Sequence, residues 1–240
     1  QLRWDIENAK NSIEFFVDVK LSALRFLASG HRYEQLSDQK ILTSIFTEFK
    51  REFGEVVDLG LIDSEGIQQS YTGPYNLKEK DYSNQEWFQK TITRGVYVSE
   101  VFMGYRKFPH FAIAVKKEVP EKETFWILRA TIDMATLNKF ISSINLNAED
   151  DAFVINHEGT LQTPSRFYGH VLESYALPVT LRQRGVSVLK VKPSDGHPFL
   201  FGYAYIKNSP WILSVIIKSS TDSKITRIFR GEFFAILVVS

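Results

Sequence analysis

Apolar side chains recur at steps of three and four residues through the first 28 positions of the chain. They are Leu2, Ile6, Ala9, Ile13, Phe16, Val17, Leu21, Leu24 and Leu27. Because these steps place side chains on one face of an α-helix, and no glycine or proline occurs before Gly30, the pattern predicts one long helix. At about 1.5 Å per residue this helix would be roughly 42 Å long. The stripe predicts a spine or a dimer seam, and a helix packed wholly on its own domain is the alternative interpretation.

Beyond this helix, helical and strand-like periods alternate. Helical spacing resumes over residues 38–53, where Ser37 or Asp38 is the expected N-cap. The period then changes and predicts a hairpin, a short helix opened by Ser83 or Asn84, and an antiparallel meander. The predicted ranges are 56–62 and 67–71 for the hairpin, 82–93 for the helix, and 97–102, 110–117 and 124–132 for the meander.

The second half of the chain partly repeats this order. A helix over 134–144 and a polar connector over 145–151 lead to an apolar strand at 152–156. A return strand, three further strands and a closing helix follow, at 161–163, 186–191, 198–206, 211–217 and from about Thr221. Trp211 is expected in the core of this half. The duplication is one of architecture, since the halves share too few identical residues to form a sequence repeat.

The order of elements predicts an α+β fold, in which a long N-terminal helix carries two tandem modules with antiparallel sheets. The expected boundaries are 1–30 for the helix, 31–147 for the first module, 148–218 for the second and 219–240 for an exit helix. The apolar run at 233–239 predicts the first part of a transmembrane helix, which needs about 20 apolar residues to span the bilayer. A buried amphipathic helix end is the alternative.

Composition narrows the function classes. The chain has 240 residues, with 29 basic and 28 acidic side chains, 33 aromatic ones (19 Phe, 10 Tyr and 4 Trp) and no cysteine. Such a balanced charge offers no basic field for a phosphate backbone, so a nucleic-acid partner is not expected. The absence of cysteine excludes disulfide frameworks, thiol nucleophiles, zinc ribbons and iron–sulfur clusters.

No catalytic or metal-binding motif is assembled in the sequence. The five histidines, at positions 31, 110, 157, 170 and 197, lie far apart and lack the spacing of a zinc site. There is no glycine-rich phosphate loop and no nucleophile elbow. The acidic run at 149–151 is interpreted as a solvated connector rather than a cation site. We therefore expect no enzyme activity, no cofactor and no metal.

Three segments of the first module follow one another in a distinctive order: 81–89 (DYSNQEWFQ), 97–102 (YVSEVF) and 109–115 (PHFAIAV). Together they resemble the double Cache extracytoplasmic sensor domains of bacterial receptors, which include sensor histidine kinases, chemoreceptors and diguanylate cyclases. The resemblance covers nearly the whole chain, and residues 156–159 and 162–165 look most like the second module of sensor histidine kinases. It implies membrane-distal and membrane-proximal PAS-like modules, a membrane-anchored homodimer joined through the N-terminal helix, and a periplasmic position at the bacterial inner membrane.

The resemblance also implies a small ligand bound in the distal module between its sheet and a helical cover. Trp87 and Asp133 match two ligand-binding positions of the family. Gln85 stands where amino-acid-binding members carry an arginine, and Phe102 stands where many carry a ligand-facing tyrosine. The full set of expected ligand-binding residues is Trp87, Asp133, Tyr82, Gln85, Phe102, Tyr105 and His110.

These departures from the family's pattern lead to a ligand hypothesis. Gln85 cannot replace the charge of a guanidinium, which disfavours an amino-acid ligand. Asp133 beside Trp87 and its aromatic neighbours would suit the ammonium group of a cationic amine, so an amine or another small polar molecule is expected. Core packing alone is the alternative for the aromatic residues, and helix capping alone is the alternative for Asp133. Arg106 and His110 are expected at the mouth of the cleft or on a solvated hairpin.

The expected function is ligand sensing for a membrane-bound receptor, most like a sensor histidine kinase. Its kinase, cyclase or methyl-accepting output would be encoded beyond Ser240. Ligand capture would shift a dimer between two arrangements of its helices. A periplasmic module that binds a partner protein, or has a structural role without any small-molecule ligand, is the alternative.

Overall fold

The computed structural model describes residues 1–177, 180–181, 185–193, 197–218 and 236–238, the last range for its backbone only. The chain divides into two compact units. The central unit is Phe15–Thr136, and the terminal unit is Gln1–Glu14 together with Leu137–Ser240. Helix α1 (Leu2–Gly30) contributes residues to both units, so the long N-terminal helix predicted from the apolar stripe is confirmed.

The central unit is built around one antiparallel sheet. After α1, its elements in chain order are helices α2 (Tyr33–Ser37) and α3 (Gln39–Phe53), strands β1 (Val56–Ile62) and β2 (Gln68–Thr72), helix α4 (Glu86–Arg94), and strands β3 (Val96–Val98), β4 (Phe111–Val119) and β5 (Thr124–Ile132). The strands are ordered β2–β1–β5–β4–β3, and every neighbouring pair is antiparallel. Helix α3 packs on β1 and β2, and α4 packs on β3 and β4.

Local chemistry explains why these elements begin where they do. Asp38 is the N-cap of α3, and its Oδ1 accepts hydrogen bonds from the backbone N–H groups of Lys40 (2.8 Å) and Ile41 (3.2 Å). Strands β1 and β5 have the predicted ends and bury nearly all their residues. These two strands are neighbours at the centre of the sheet, so burial on both faces accounts for their almost continuous apolar sequences.

The terminal unit has a second sheet. Helix α5 (Met134–Ser142) leads into strands β6 (Asp151–Ile155), β7 (Val186–Lys192), β8 (Phe199–Tyr205), β9 (Ile212–Lys218) and β10 (Ile236–Val238). The order is β10–β7–β8–β9–β6, with β10 parallel to β7 and the other pairs antiparallel. Trp211 is fully buried, as predicted. The α+β class with a long helix and antiparallel sheets is therefore confirmed.

The apolar stripe of α1 is buried within the chain itself. Eight of the nine predicted positions are at most 8% exposed, and Leu27 is half-buried. In the terminal unit, for example, the Ile6 side chain lies directly over Gly202 of β8, where a Cβ atom would collide with it. The stripe thus packs on its own chain, and a dimer seam on α1 would have to use another face.

Two predicted strands are shorter in the structure because a side-chain oxygen replaces a backbone partner. Strand β3 ends at Val98 instead of 102, and the N–H of Ala112 donates to Ser99 Oγ at 2.9 Å. In the same way, the strand predicted over 161–163 is reduced to an isolated bridge between Leu161 and Ile155, and the N–H of Val154 donates to Thr163 Oγ1 at 2.9 Å. Hydroxyl side chains compete with a regular ladder in this manner.

Two helix predictions also differ from the structure. Helix α4 begins at Glu86 with Gln85 as its N-cap, because Asp81 Oδ1 accepts the N–H of Ser83 (2.7 Å) and holds the preceding residues in a turn. The predicted exit helix over 219–240 falls mostly outside the described residues. The three described residues, Ile236–Val238, form a strand instead, which agrees with the strand preference of isoleucine and valine.

In the part of the chain that the structure describes, no helix is both long enough and apolar enough to cross a membrane.

Replacing Ile6 by alanine should destabilise the protein by about 2–5 kcal/mol, because the change opens a cavity against β8 that the surrounding backbone can only partly close. Urea denaturation followed by circular dichroism would measure the loss. Arg3, which is exposed on the same turn of α1, provides the control: Arg3→Ala should change stability by no more than about 0.5 kcal/mol. Equal losses of stability for the two substitutions would show that burial of Ile6 does not stabilise the fold.

Candidate functional site

Charged side chains lie inside the central unit, on the sheet face that α4 covers. Ile62 of β1 and Ile127 of β5 pack with Trp87 of α4 in one apolar cluster. Because side chains alternate along a strand, Asp58 of β1 and Arg129 of β5 lie on the same face as these isoleucines. Both residues are 0% exposed. The strand register brings the two close together, since Gly60 is paired with Arg129.

Asp58 and Arg106 form a buried ion pair. Arg106 comes from a 3₁₀ turn, Gly104–Arg106, and its Nε donates to Asp58 Oδ2 at 2.7 Å, while its Nη2 lies 2.6 Å from the same oxygen. The hydroxyl of Tyr71 donates to this oxygen as well, at 3.2 Å. Burial raises the pKa of Tyr71, and the negative charge of Asp58 raises it further. The hydroxyl is therefore held protonated as a donor to the carboxylate.

Arg129 sits against the other side of the carboxylate. Its Nη2 lies 3.6 Å from Asp58 Oδ1, a distance at which the charges attract without a hydrogen bond. The guanidinium carbon is 4.8 Å from the ring centre of Tyr82 and 5.1 Å from that of Trp87, so both rings make cation–π contacts with it. Within the described residues, Nε, Nη1 and Nη2 of Arg129 have no hydrogen-bond acceptor.

His110 completes the cluster as a neutral side chain. It is 0% exposed, and its Nε2 lies 3.3 Å from Nη1 of Arg106, which can only donate. Nε2 is therefore the acceptor, and Nδ1 carries the proton that is donated to the carbonyl of Phe108 at 2.9 Å. Burial lowers the pKa of His110 to about 4, and the positive charges of Arg106 and Arg129 also lower it. At neutral pH the cluster thus holds two positive charges and one negative charge.

Several residues predicted for the site do surround this cluster. Tyr82 packs edge-on against Trp87 (5.3 Å between ring centres) and against Tyr105 (5.5 Å), and the Tyr105 hydroxyl donates to the carbonyl of Asp81 at 2.8 Å. Phe102 lies 4.5 Å from the ring of His110. Tyr82 and Trp87 thus lie against Arg129, and His110 lies against Arg106. Phe102 and the partly exposed Tyr105 pack around them.

Gln85 and Asp133 have different surroundings. Gln85 is the N-cap of α4, and its side chain makes no capping hydrogen bond. Asp133 is exposed, and its Oδ1 accepts the N–H of Ala135 at 2.8 Å at the start of α5. Four residues of extended strand, about 13 Å, separate it from Arg129, which contacts Trp87. Asp133 thus makes the hydrogen bond expected of helix capping, which was the alternative interpretation, and Arg129 is the charged side chain that contacts Trp87.

Asp58, Tyr71 and Arg129 were not predicted as site residues, and Arg106 was expected at a cleft mouth or on a solvated hairpin. A signal for two of them was present in the sequence, because Asp58 and Arg129 interrupt otherwise apolar strands. A charged residue in the middle of a strand buried on both faces must be paired. Nothing local indicates that Arg106 is buried, since it lies in a Gly-Tyr-Arg-Lys turn.

The cluster has the chemistry of a binding site. It is rich in fixed donors and aromatic faces and carries a net positive charge. Among the described residues, no group of three or more histidine, aspartate and glutamate side chains could hold a metal ion. The arrangement is suited to holding a polar molecule by hydrogen bonds and charge.

Comparison with known proteins identifies structures that share this fold. Neither a known protein-family profile nor a curated protein sequence matches the chain. Among solved structures, the extracellular domain of rpHK1S-Z16, classed as a histidine kinase, aligns over 96% of this chain and 96% of its own with a TM-score of 0.71 at 12% identity. The ligand-binding domain of the Pseudomonas aeruginosa PAO1 chemoreceptor PctB, solved with L-Gln, gives a TM-score of 0.68 at 14% identity over 95% and 96% of the two chains.

A third structure is the ligand-binding domain of the Campylobacter jejuni chemoreceptor Tlp3 in complex with L-valine. It has a TM-score of 0.63 and 10% identity over 91% of each chain. At these identities the likeness establishes the fold alone. The fold expected from the double Cache resemblance is confirmed, and the alignments extend over nearly the whole chain.

The buried neutral His110 predicts an acid-sensitive fold. Its pKa is lower in the folded protein (about 4) than in the unfolded chain (about 6.5). Between these values the unfolded chain binds a proton that the folded protein does not, so stability falls as pH drops from about 6.5 to 4, by up to roughly 3 kcal/mol.

The pH dependence of stability that His110 contributes can be isolated by comparing wild-type with His110→Gln in urea denaturation at several pH values. The wild-type stability should depend more steeply on pH in that window, and the variant should lose the steeper part. His31, which follows α1 and hydrogen-bonds the carbonyl of Leu27, is the matched control, and His31→Gln should retain the wild-type slope. Identical slopes for wild-type and His110→Gln would contradict a neutral His110.

Proposed function

We propose that this chain is the extracytoplasmic ligand-sensing domain of a membrane-bound signal-transduction receptor. The observation that supports it is the buried cluster of Asp58, Arg106, Arg129 and His110, whose donors are only partly used. It lies in the module where double Cache domains are expected to hold their ligand. Buried polar groups in proteins are normally satisfied, so a concentration of unsatisfied ones on one sheet face marks a place for a polar partner.

The surroundings of the cluster support a small-molecule site. Tyr82 and Trp87 place aromatic rings against Arg129, and their own polar atoms, Tyr82 Oη and Trp87 Nε1, are buried without a hydrogen bond in the described residues. A few convergent polar groups within an apolar surrounding are typical of ligand sites. The solved relatives of the fold include chemoreceptor domains in complex with L-Gln and L-valine.

The receptor would be a sensor histidine kinase, a chemoreceptor or a cyclase, anchored in the inner membrane with this domain in the periplasm. Ligand capture would favour one of two arrangements of the helices and so shift the output between states. The size of that shift is set by the difference between the ligand's affinities for the two states. The domain itself senses and does not catalyse.

A thermal-shift screen of residues 1–240 against amino acids, organic acids, amines and purines tests the proposal. At least one class should raise the melting temperature in a saturable manner, since a ligand at 100 times its Kd stabilises by about 2.7 kcal/mol. If no class does so, this domain does not sense small molecules of these kinds.

A conservative variant tests the location of that site. Thr131 is paired with Asp58 in the sheet, and its Oγ1 is buried without a hydrogen bond in the described residues, so Thr131→Val should weaken ligand binding at little cost to stability. Thr136 on α5 is also buried with an unused hydroxyl, and Thr136→Val is the matched control that should bind normally. Equal affinities for the two variants, measured by calorimetry, would place the site elsewhere.

We also propose that the homodimer expected from the sequence uses the exposed face of α1. Phe15 and Phe26 are 72% and 76% exposed. They are 11 residues apart, which is close to three helical turns and puts both on one face, about 16 Å apart, with exposed Ser22 between them. A second copy of the same helix would cover both rings, as isologous interfaces do.

Sedimentation of the wild-type domain should therefore show a dimer at micromolar to millimolar concentrations. The double variant Phe15→Ser, Phe26→Ser should shift the equilibrium strongly toward monomer without loss of folded structure by circular dichroism. Substitution of the exposed Lys40 and Thr47 on α3 by serine is the control. A monomer for the wild-type, or a dimer unaffected by the double variant, would exclude this interface.

A further inference from the structure

Arg129 presents the largest set of unused donors among the buried side chains that the structure describes. Three of its nitrogen atoms have no hydrogen-bond acceptor, although the side chain is 0% exposed. The charged group makes cation–π contacts with Tyr82 and Trp87, and its Nη2 lies 3.6 Å from Asp58 Oδ1. A guanidinium removed from water with so few hydrogen bonds is costly unless an acceptor joins it.

The charge of the cluster specifies the sign of that acceptor. Asp58 is the carboxylate that pairs with either arginine among the described residues, and Arg106 already contacts its Oδ2 through two nitrogen atoms. His110 is neutral, so the net charge of the cluster is +1. One additional negative charge beside Arg129 would balance the cluster, whereas a cation would raise the buried positive charge to +2.

The hydrogen-bond inventory points to the same conclusion. Besides the three nitrogen atoms of Arg129, the donor Trp87 Nε1 is buried without a partner in the described residues, and the hydroxyls of Tyr82 and Thr131 can also donate. Among the described residues of this cluster, Asp58 Oδ1 and Gln68 Oε1 are the unused atoms that can only accept, and the two hydroxyls can accept as well as donate. An ammonium group brings three donors and no acceptor, whereas a carboxylate brings only acceptors.

The shape of the group follows from the guanidinium. A carboxylate matches the planar fork of Arg129 in a bidentate way, and the rings of Tyr82 and Trp87 limit the orientation of that fork. The domain can therefore bind a carboxylate although Gln85 has no charge, because β5 provides Arg129 for this role. The amine hypothesis relied on Asp133, which is exposed and accepts the N–H of Ala135, whereas the charged group against Trp87 is Arg129.

We propose that the ligand is a small organic acid whose carboxylate accepts hydrogen bonds from Arg129, next to Trp87 and Tyr82. This inference rests on the proposed function, because it names the chemical class of the ligand for the same site. Arg129 binds the carboxylate, and Arg106 holds Asp58 in place beside it.

Matched compounds test the class. The domain is titrated at constant ionic strength with acetate, propionate, succinate and L-alanine, with the corresponding amides, and with ethylamine and putrescine. Inorganic phosphate and sulfate form a separate arm. Binding is followed by melting temperature and calorimetry. We expect saturable stabilisation by at least one carboxylate and at least tenfold weaker binding of its amide, because the neutral group loses the charge-assisted pair.

Variants then test whether Arg129 is the residue that binds the carboxylate. Arg129→Gln should abolish carboxylate binding, and Arg129→Lys, which keeps the charge but loses the fork, should weaken it about tenfold or more. Arg51→Gln is the control, because Arg51 is exposed and pairs only with its exposed neighbour Glu52 in the described structure. Circular dichroism establishes which variants fold, and the comparison of acids with amides on the wild-type protein needs no variant.

The outcomes separate the two proposals. The organic-acid inference would be overturned if amides, amines or inorganic anions bind and no carboxylate does. It would also be overturned if folded Arg129→Lys binds the carboxylate as tightly as the wild-type protein does. Either result would leave the proposed sensing function in place. Binding of no compound in any arm would count against the proposed function itself. Carboxylate binding that is lost in Arg129→Gln and retained in Arg51→Gln would support both.

Discussion

Two guanidinium groups held out of water against one carboxylate are the constraint on which the central unit depends. Removing an ion from water costs several kcal/mol even after the protein relaxes. Asp58 offsets part of this cost through its ion pair with Arg106 and its attraction for Arg129. The aromatic faces of Tyr82 and Trp87 offset a further part. Asp58 Oδ2 is hydrogen-bonded by Arg106, whereas Asp58 Oδ1 lies 3.6 Å from Arg129 without a hydrogen bond. The proposed ligand site rests on this asymmetry.

This constraint connects elements that are distant in sequence. Asp58 comes from β1, Arg129 from the adjacent β5, and Arg106 from the segment between β3 and β4. His110 hydrogen-bonds Arg106 from the far end of the same segment. A ligand that binds Arg129 would change the electrostatic balance at Asp58, and through Asp58 the position of this segment. In the proposed function, that coupling provides the first step of signal transmission within the central unit.

The regular elements could largely be predicted from the sequence because their signals are local. The stripe of α1, the Asp38 cap and the apolar runs of β1 and β5 each specify an element within a short window. Predictions failed where a side chain competed with the backbone. Ser99 and Thr163 each accept an N–H that a strand ladder would have used. Such competition depends on a partner strand that is distant in sequence.

The candidate site could be predicted only in part. Trp87 matches a position of the resembling family, Tyr82 and His110 are near it in sequence, and the structure places all three around one cluster. Asp133 matched a family position, but its place beyond the end of β5 leaves it exposed and 13 Å or so along the strand from Arg129. Asp58 and Arg129 become neighbours only through the pairing of β1 with β5. Sequence alone shows that a buried charge needs a partner, but it does not show which one.

The central claim, that Arg129 has buried donors which a ligand carboxylate completes, can be observed directly by ¹⁵N NMR of arginine Nε–H groups. In the free domain, the Nε–H of Arg129 should exchange with solvent more slowly than that of exposed Arg51. Addition of a binding carboxylate should move the Arg129 signal downfield and slow its exchange further, while the Arg51 signal stays in place. Rapid exchange in the free domain, or an Arg129 signal unchanged at saturation with a ligand that does bind, would contradict the claim.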